Sequence, residues 1–424
     1  MKSYLSKHAF ADAIIPVEPK NDLGIFVVIP VYKEKTVLPI LLSLLHQKRT
    51  TCSVEVLFVF NASETDNETN KSINQNAKRE LDEAIANSNA NNSVSYYTCE
   101  FNNLPKKHAG VGLARKIGMD EAVRRFEPTR TDGIIVNTDA DCVVSDNYLS
   151  EIKNHFNTRK TDACSIHFEH PLNNQEQEIN SAIIQYELYL RYYVNMQRLI
   201  GFPWAFQTIG SAMAVRSSVY QKQGGMNKRK AGEDFYFLQK IIELGNFSEL
   251  NSTTIYASAR KSDRVPFGTG KAVKDIIESE EPYGFYNPKS FKWLKEFYER
   301  ILDFYKSDKD KIEQIQKVLE PEISNYLIEN DWTGKIAQVN SFTTDFQSFK
   351  KRFFREFNAF QLMKYLHYMR DNHNENIDAK AAINYLFPLL KLPIAGSLEQ
   401  NLESLREYDK NNFYKGLVIK NAIV

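Results

Sequence analysis

No run approaching about 18 consecutive apolar residues occurs in this chain, so nothing in it predicts a membrane-spanning helix. The first twenty residues hold charge and proline in place of a sustained apolar segment, which does not suit a secretory leader. Cysteine is scarce. Cys52, Cys99, Cys142 and Cys164 are the four in 424 residues, and they lack the short paired spacings of a zinc ribbon or a disulfide framework. A reducing compartment fits, so the expected location is cytoplasmic, where a sequon such as Asn67-Glu-Thr69 has no meaning. A surplus of one charge is also missing: 54 Lys and Arg stand against 53 Asp and Glu, with no dominant basic tract. That balance argues against a nucleic-acid partner. No internal repeat is present, and low complexity is confined to the Asn-rich turn at 87–92.

What is present is length enough for two or three domains and an ordered alternation of apolar elements. Gly24-Ile-Phe-Val-Val-Ile-Pro-Val-Tyr32 reads as a strand, followed by Lys33-Glu34 and a helical spacing at Val37, Leu38, Ile40, Leu41, Leu44 and Leu45. A second strand over Val54–Phe60 leads into the polar turn Asn61 to Asp66, and a third over Val94–Thr98 precedes Lys106-Lys107-His108-Ala109-Gly110. Alternation of this kind predicts an α/β domain, a mostly parallel sheet with helices on both faces. The run Gly133–Asn137 reads as a central strand whose carboxyl end opens onto a crevice. Asp139 and Asp141 follow it. On an extended chain, residues two apart share a face, which suits one hard divalent cation. An isolated Asp-x-Asp equally suits a turn or a helix cap.

Further along come Gly210-Ser-Ala-Met-Ala-Val-Arg216, Gly224-Gly225-Met226 and Gly232-Glu233-Asp234-Phe-Tyr-Phe-Leu238. With these motifs in this order, the chain resembles the family 2 glycosyltransferases over about residues 22–260. Four segments carry the resemblance. Pro30-Val31-Tyr32-Lys33-Glu34 looks like the family's nucleotide-facing turn. Gly110-Val-Gly-Leu-Ala-Arg115-Lys-Ile-Gly118 looks like its Gly-x-x-x-Ala-Arg-Asn-x-Gly helix, with Lys116 at the asparagine. Asp139 and Asp141 match the metal motif, and Glu233-Asp234 matches the acidic pair that supplies the base. The resemblance implies a GT-A fold, the Rossmann-like architecture of nucleotide-diphospho-sugar transferases. It also implies inverting transfer of a sugar from a nucleotide diphosphate to a saccharide or glycoconjugate, as in polysaccharide biosynthesis, with Mn2+ or Mg2+ as cofactor.

Under that resemblance Asp141 is the direct metal ligand and Asp139 contacts metal and donor. Asp234 is the base that deprotonates the acceptor, a role typically worth about 10²–10⁴-fold, and Glu233 assists it. Read without the resemblance, the same pair is favourable charge in the first turn of a helix over Phe235–Leu244. Pro30, Val31, Tyr32, Glu34, Asn61 and Arg115 are expected to line the sugar-nucleotide site. Trp204, Gly210 and Ser211 are expected on the acceptor side. Lys261 and Arg264 lie in the stretch Ala259–Lys271, whose glycine and proline content suits a lid closing on the donor. Two departures from the family stand out. No histidine falls between Gly210 and Ile301 to serve as a third metal ligand, and the second strand ends Val59-Phe60-Asn61 where an aspartate pair usually reads the base. Asparagine donates as well as accepts, so the preferred base need not be uracil.

Other matches fail. Gly110-Val-Gly112 meets Arg115 at the third site of a dinucleotide fingerprint, and Gly268-Thr-Gly-Lys271 lacks the rest of a phosphate-binding loop. His167-Phe-Glu-His170 has a spacing a metal can use, but it ends a strand read over Thr161–Phe168, which favours a packed or acceptor-facing pair. Tyr186, Tyr189, Tyr192 and Tyr193 have the spacing of a core helix stripe. Beyond about residue 272 the pattern changes to helical segments at Ser290–Tyr305, Lys309–Val318, Ile323–Asn330 and Asp345–Tyr368. This gives a division into an N-terminal extension 1–21, a transferase domain 22–272 and a helical accessory region 273–424. Lys350-Lys351-Arg352-Phe353-Phe354-Arg355 reads as a helix with one solvated and one packed face, or as a peripheral membrane contact. Two competing functions are a catalytically silent sugar-nucleotide-binding subunit and a sugar-phosphate nucleotidyltransferase. The latter opens with a glycine-rich loop that Pro30–Glu34 does not supply.

Overall fold

The apolar runs become one sheet. In the computed structural model, which describes residues 4–88, 93–173, 176–264 and 268–412, β1 (Leu23–Val31) is buried along its whole length, as a strand covered on both faces must be. With β2 (Ser53–Ser63), β3 (Val94–Leu104), β4 (Ile134–Asn137), β5 (Val143–Val144), β6 (Ala163–Glu169), β7 (Met213–Arg216) and β8 (Phe247–Tyr256) it forms an eight-stranded sheet ordered β3-β2-β1-β4-β7-β6-β8-β5. Residues 89–92 of the Asn-rich turn and 265–267 of the expected lid lie outside the described residues.

β1 runs parallel to β2 and β4, β2 to β3, and β6 to β8. β7 lies antiparallel between β4 and β6, and β5 antiparallel to β8, so the sheet is mixed. Helices still alternate with strands beyond β4, at Tyr148–Thr158 and Gln177–Leu199, yet β7 is reversed, so alternation alone does not set strand direction there. Because β1 and β4 are adjacent and parallel, the turns that follow them emerge at the same sheet edge, the position where open α/β sheets place their ligands. Tyr32–Glu34 and Asp139–Asp141 are therefore brought together by topology.

The helix Val111–Thr129 packs across β1 and β2 and is buried along most of its length. Gly118 permits this, since a Cβ there would collide with Val28 of β1. Arg125 of the helix clamps Glu55 of β2 through two hydrogen bonds, 2.8 Å from Nε and 2.6 Å from Nη2. The N-terminal segment straps onto the outer side of this helix. Tyr4 Oη donates to Asp120 Oδ1 at 2.8 Å, and the amides of Ile14 and Ile15 donate to the Glu121 carboxylate at 3.2 and 3.0 Å. Lys116, which stands at the family's asparagine position, is buried with its amino group 3.0 Å from Asp120.

The chain divides into two compact units, one built on residues up to 183, 208–275 and a segment from 409, the other on 184–207 and 276–408. The second unit is helical and has an aromatic core. Trp332 is fully buried with its ring 4.9 Å from that of Phe357, and Phe297 meets Phe353 at 5.4 Å. The segment expected as one helix over Asp345–Tyr368 is two, Phe346–Glu356 and Ala359–Asn372. Asn358 starts the second by accepting from the amides of Phe360 and Gln361 at 3.1 Å each, the N-cap role that asparagine favours. In the first, Phe349, Phe353 and Phe354 are buried while Lys351, Arg352 and Arg355 are exposed. The basic aromatic run thus has one packed and one solvated face. No helix among the described residues is long and apolar enough to cross a membrane.

Candidate active site

Three arginines pair with four carboxylates at the mouth of β1 and β4, and a fifth carboxylate, Asp234, stands beside them. Arg115, in the first turns of Val111–Thr129, is almost fully buried. Its Nη2 donates to Asp139 Oδ1 at 2.6 Å and its Nη1 to Glu233 Oε1. Burial alone would lower its pKa, but Asp139, Glu233 and Asp234 together hold it above the ordinary arginine value, so this cation does not titrate. Gly210 makes room for it, since a Cβ at that position would strike the guanidinium.

The pair after β4 does not lie on an extended chain as the spacing suggested. Cys142 N donates to Asp139 O at 3.1 Å, closing a turn, and the two carboxylates meet different arginines. Asp141 Oδ2 accepts from Arg260 Nη2 at 2.8 Å. Although 27% of its side-chain surface meets solvent, burial pushes the Asp141 carboxyl up to about 6, with Arg260 pulling the other way and Asp139 adding to the rise.

Arg260 also donates from Nη1 to Glu34 Oε2 at 2.7 Å. Arg264 joins the same carboxylate and gives a further hydrogen bond to Tyr32 O at 2.6 Å. Glu34 is buried, and burial alone would raise its pKa, yet the two guanidinium groups hold it below the usual range. Arg260 has no sequence signal separating it from its neighbours in a basic, irregular stretch, where Lys261 and Arg264 are the expected site cations; Arg264 is in the site. Lys261 instead points to Glu176, 4.0 Å away.

Glu233 and Asp234 begin the helix Glu233–Ile242. Glu233 is 2% exposed, and its carboxyl is raised by burial and by Asp234 against the pull of Arg115. Asp234 is less enclosed; its Oδ2 accepts from Gly210 N at 2.8 Å and its Oδ1 from Phe235 N at 2.7 Å. Burial raises its pKa too, opposed by Arg115 and by these two amides. Gly112 brings the helices close, since a Cβ there would meet the Arg229 carbonyl and Glu233. The ion pairs thus form two clusters, Arg115 with Asp139 and Glu233, and Arg260 and Arg264 with Glu34 and Asp141, joined through the turn Asp139–Asp141; Asp234 is held by Gly210, and Ser211 is buried next in sequence.

The remaining expected residues behave differently. Pro30 and Val31 are buried within β1. Tyr32 Oη donates to Asp66 Oδ1 at 2.9 Å, a contact the sequence reading did not anticipate. Asn61 is buried, and its amide donates to Val31 O at 3.0 Å, bracing the β1 turn. Trp204 belongs to the second unit, where it is buried against Phe202 and Phe354, ring centroids 6.0 and 6.5 Å away. That packing gives a sugar no open ring face. Tyr192 is likewise core, donating to Tyr286 O at 2.7 Å. His167 is buried with Nε2 3.0 Å from Glu169 Oε1.

Among the described residues no group of three or more His, Cys, Asp or Glu side chains can hold a metal by itself. The donor set nevertheless suits a hard cation shared with a ligand. Five carboxylates face three guanidinium groups, a formal excess of two negative charges that would repel a diphosphate and that one divalent cation offsets.

A mixed α/β sheet with an acidic, arginine-bridged pocket at the carboxyl ends of its central strands is the architecture of a GT-A glycosyltransferase. Residues 26–223 match the sequence model of glycosyl transferase family 2; this part of the chain belongs to that family, and the protein is a glycosyltransferase. Among solved structures it is similar to S. aureus TarS 1–349 in complex with UDP-GlcNAc, at 13% identity over 78% of this chain and 91% of that one, TM-score 0.41. It is also similar to the same protein in complex with UDP, at 13% identity over 79% and 92%, TM-score 0.39. Likeness this remote assigns no residue a role. No curated protein matches the chain in sequence.

Proposed function

We propose that the chain transfers a sugar from a nucleoside-diphosphate donor to a hydroxyl of a saccharide or glycoconjugate, inverting the anomeric centre by direct displacement. The observation that carries this reading is the Arg115 bridge, which ties the carboxylate after β4 to the acidic pair that opens the helix Glu233–Ile242. Donor-side and acceptor-side carboxylates are thereby held in one rigid set.

In this reading Asp234 is the general base. Its oxygens are oriented by the amides of Gly210 and Phe235, and a carboxyl raised by burial accepts a proton more readily than an exposed aspartate. Glu233, paired with Arg115, keeps that cation in place and so tempers the charge around Asp234. The base acts from the face opposite the leaving diphosphate, as a single displacement requires. The turn Tyr32–Glu34 faces the nucleotide, and Arg115 and Arg264 supply fixed positive charge near the phosphates. Asp141, with Asp139, would hold Mn2+ or Mg2+. Bound there with the donor, the cation would stabilise the charge that develops on the departing diphosphate.

We further assign residues 22–272 as the transferase domain, preceded by an N-terminal extension 1–21 and followed by the helical accessory region 273–424. A cytoplasmic location fits the four free thiols. The deciding experiment is a panel of sugar nucleotides assayed for binding and hydrolysis with Mn2+ or Mg2+ and then with chelator. Metal-dependent release of one nucleoside diphosphate supports the reading and names the base. Binding and turnover that chelator leaves unchanged would remove the cation from it, and no binding to any donor by folded protein would overturn it.

A further inference from the structure

Arg260 stands where a divalent cation bound to Asp141 would exert its charge. Its Nη2 occupies Asp141 Oδ2 at 2.8 Å, and a guanidinium and a dication cannot both sit against that oxygen without strong repulsion. The sequence reading passed over this residue. We infer that Arg260 is a displaceable counter-ion: it neutralises Asp141 until a cation arrives, yields that carboxylate to the incoming cation, and turns to the donor's diphosphate. This rests on the reading of the site given above.

Three observations carry the inference. First, the exchange strands no buried charge. Glu34, which Arg260 also holds, keeps Arg264 as a partner, and Arg264 is fixed separately by the carbonyl of Tyr32. Asp141 receives the cation, and Arg260 receives an anion. Leaving a buried carboxylate unpaired is the outcome that would forbid the move, and the doubled arginine avoids it. Second, Arg260 is the more accessible partner. Its side chain is 36% exposed and that of Glu34 only 8%, and residues 257–264 have no regular secondary structure to resist rotation. Third, the cationic groups are not equivalent. Arg115 is locked between Asp139 and Glu233 inside the protein, so of the two arginines that touch the Asp139–Asp141 pair only Arg260 can change partners without opening the core.

The consequence is a coupling between metal and diphosphate. While Arg260 holds Asp141, the cation meets a site that is competent for only a fraction of the time, which weakens its apparent affinity by that fraction. Once the cation is bound, the freed guanidinium offers a bidentate fork to phosphate oxygens.

The test is titration of Mn2+ alone into the full-length wild type and the variants R260Q, R260K and D141N, read by calorimetry, then of UDP, GDP and dTDP in turn into each protein with Mn2+ present. With the competitor gone, R260Q is expected to bind Mn2+ about tenfold more tightly than wild type and the preferred nucleoside diphosphate about tenfold more weakly. R260K keeps the charge without the fork; it should retain the weak Mn2+ affinity of wild type and lose part of the diphosphate affinity, which separates competition from misfolding. Equal Mn2+ affinity in wild type and R260Q, with binding lost in D141N, overturns the exchange and leaves Asp141 a cation ligand. Unchanged Mn2+ binding in D141N overturns the metal site itself and this inference with it.

Discussion

Arg115 and Glu233, 118 residues apart in sequence, form a buried ion pair in which neither side chain is more than 4% exposed. The arginine comes from a helix packed on β1 and the glutamate from the start of another; Arg115 offsets the charge of Glu233, and Glu233 shares that of Arg115 with Asp139. Removing one partner of such a pair leaves an uncompensated charge, which typically costs about 3–5 kcal/mol.

Arg115→Met should therefore lower unfolding free energy by about 3–5 kcal/mol in urea titration. Gly210→Ala, whose added methyl strikes the same guanidinium, should destabilise by about 1–3 kcal/mol. A change below the fitting error in both would show that the pair is not formed.

Asp234→Asn keeps the shape and the contact with Gly210 N but removes the basic oxygen pair. Transfer should fall at least ~10²-fold while nucleoside-diphosphate affinity stays within a factor of about two, as loss of a general base requires. Single-turnover rates and equilibrium binding on the same preparation check both halves, and an unchanged rate would remove Asp234 from the chemistry.

Asp141→Ala should abolish metal-dependent donor binding, since the carboxylate after β4 that faces Arg260 is then absent. Binding assayed with Mn2+ and with chelator should become identical. Persistence of a metal-dependent difference would place the cation elsewhere.

The raised pKa of Asp141 has a sign in stability. At about 6 in the fold against an ordinary 3.8, the folded state holds this proton more tightly than the unfolded chain, so the contribution is fully present below the unfolded value. It is lost as pH rises through about 6. Thermal melts across that window should show a decline in wild type that Asp141→Asn reduces. An identical pH dependence in the two proteins would contradict it.

Much of the site was legible because its residue types sit at strand ends. Asp139 and Asp141 close an apolar run, Glu34 closes another, and Glu233-Asp234 opens a helix. Arg260 was not legible. It lies in an irregular segment with no period to tell which side chain faces inward, and only its contacts with Glu34 and Asp141 distinguish it from Lys261. Trp204 failed for the converse reason. An aromatic residue in a chemically suggestive stretch has the same composition whether it meets a ligand or a core, and here it meets Phe202 and Phe354.

Local sequence by itself determined the parallel half of the sheet, the helices beside it and the identity of the carboxylates, because hydrophobic period and strand-end chemistry are short-range signals. Tertiary structure alone decided the reversal at β7 and the pairing of each carboxylate with its arginine. The reversal at β7 rests on strands distant in sequence meeting, and the Arg115–Glu233 and Arg260–Asp141 pairs on groups more than a hundred residues apart finding opposite charge in a desolvated space, where an unpaired ion is too costly to persist.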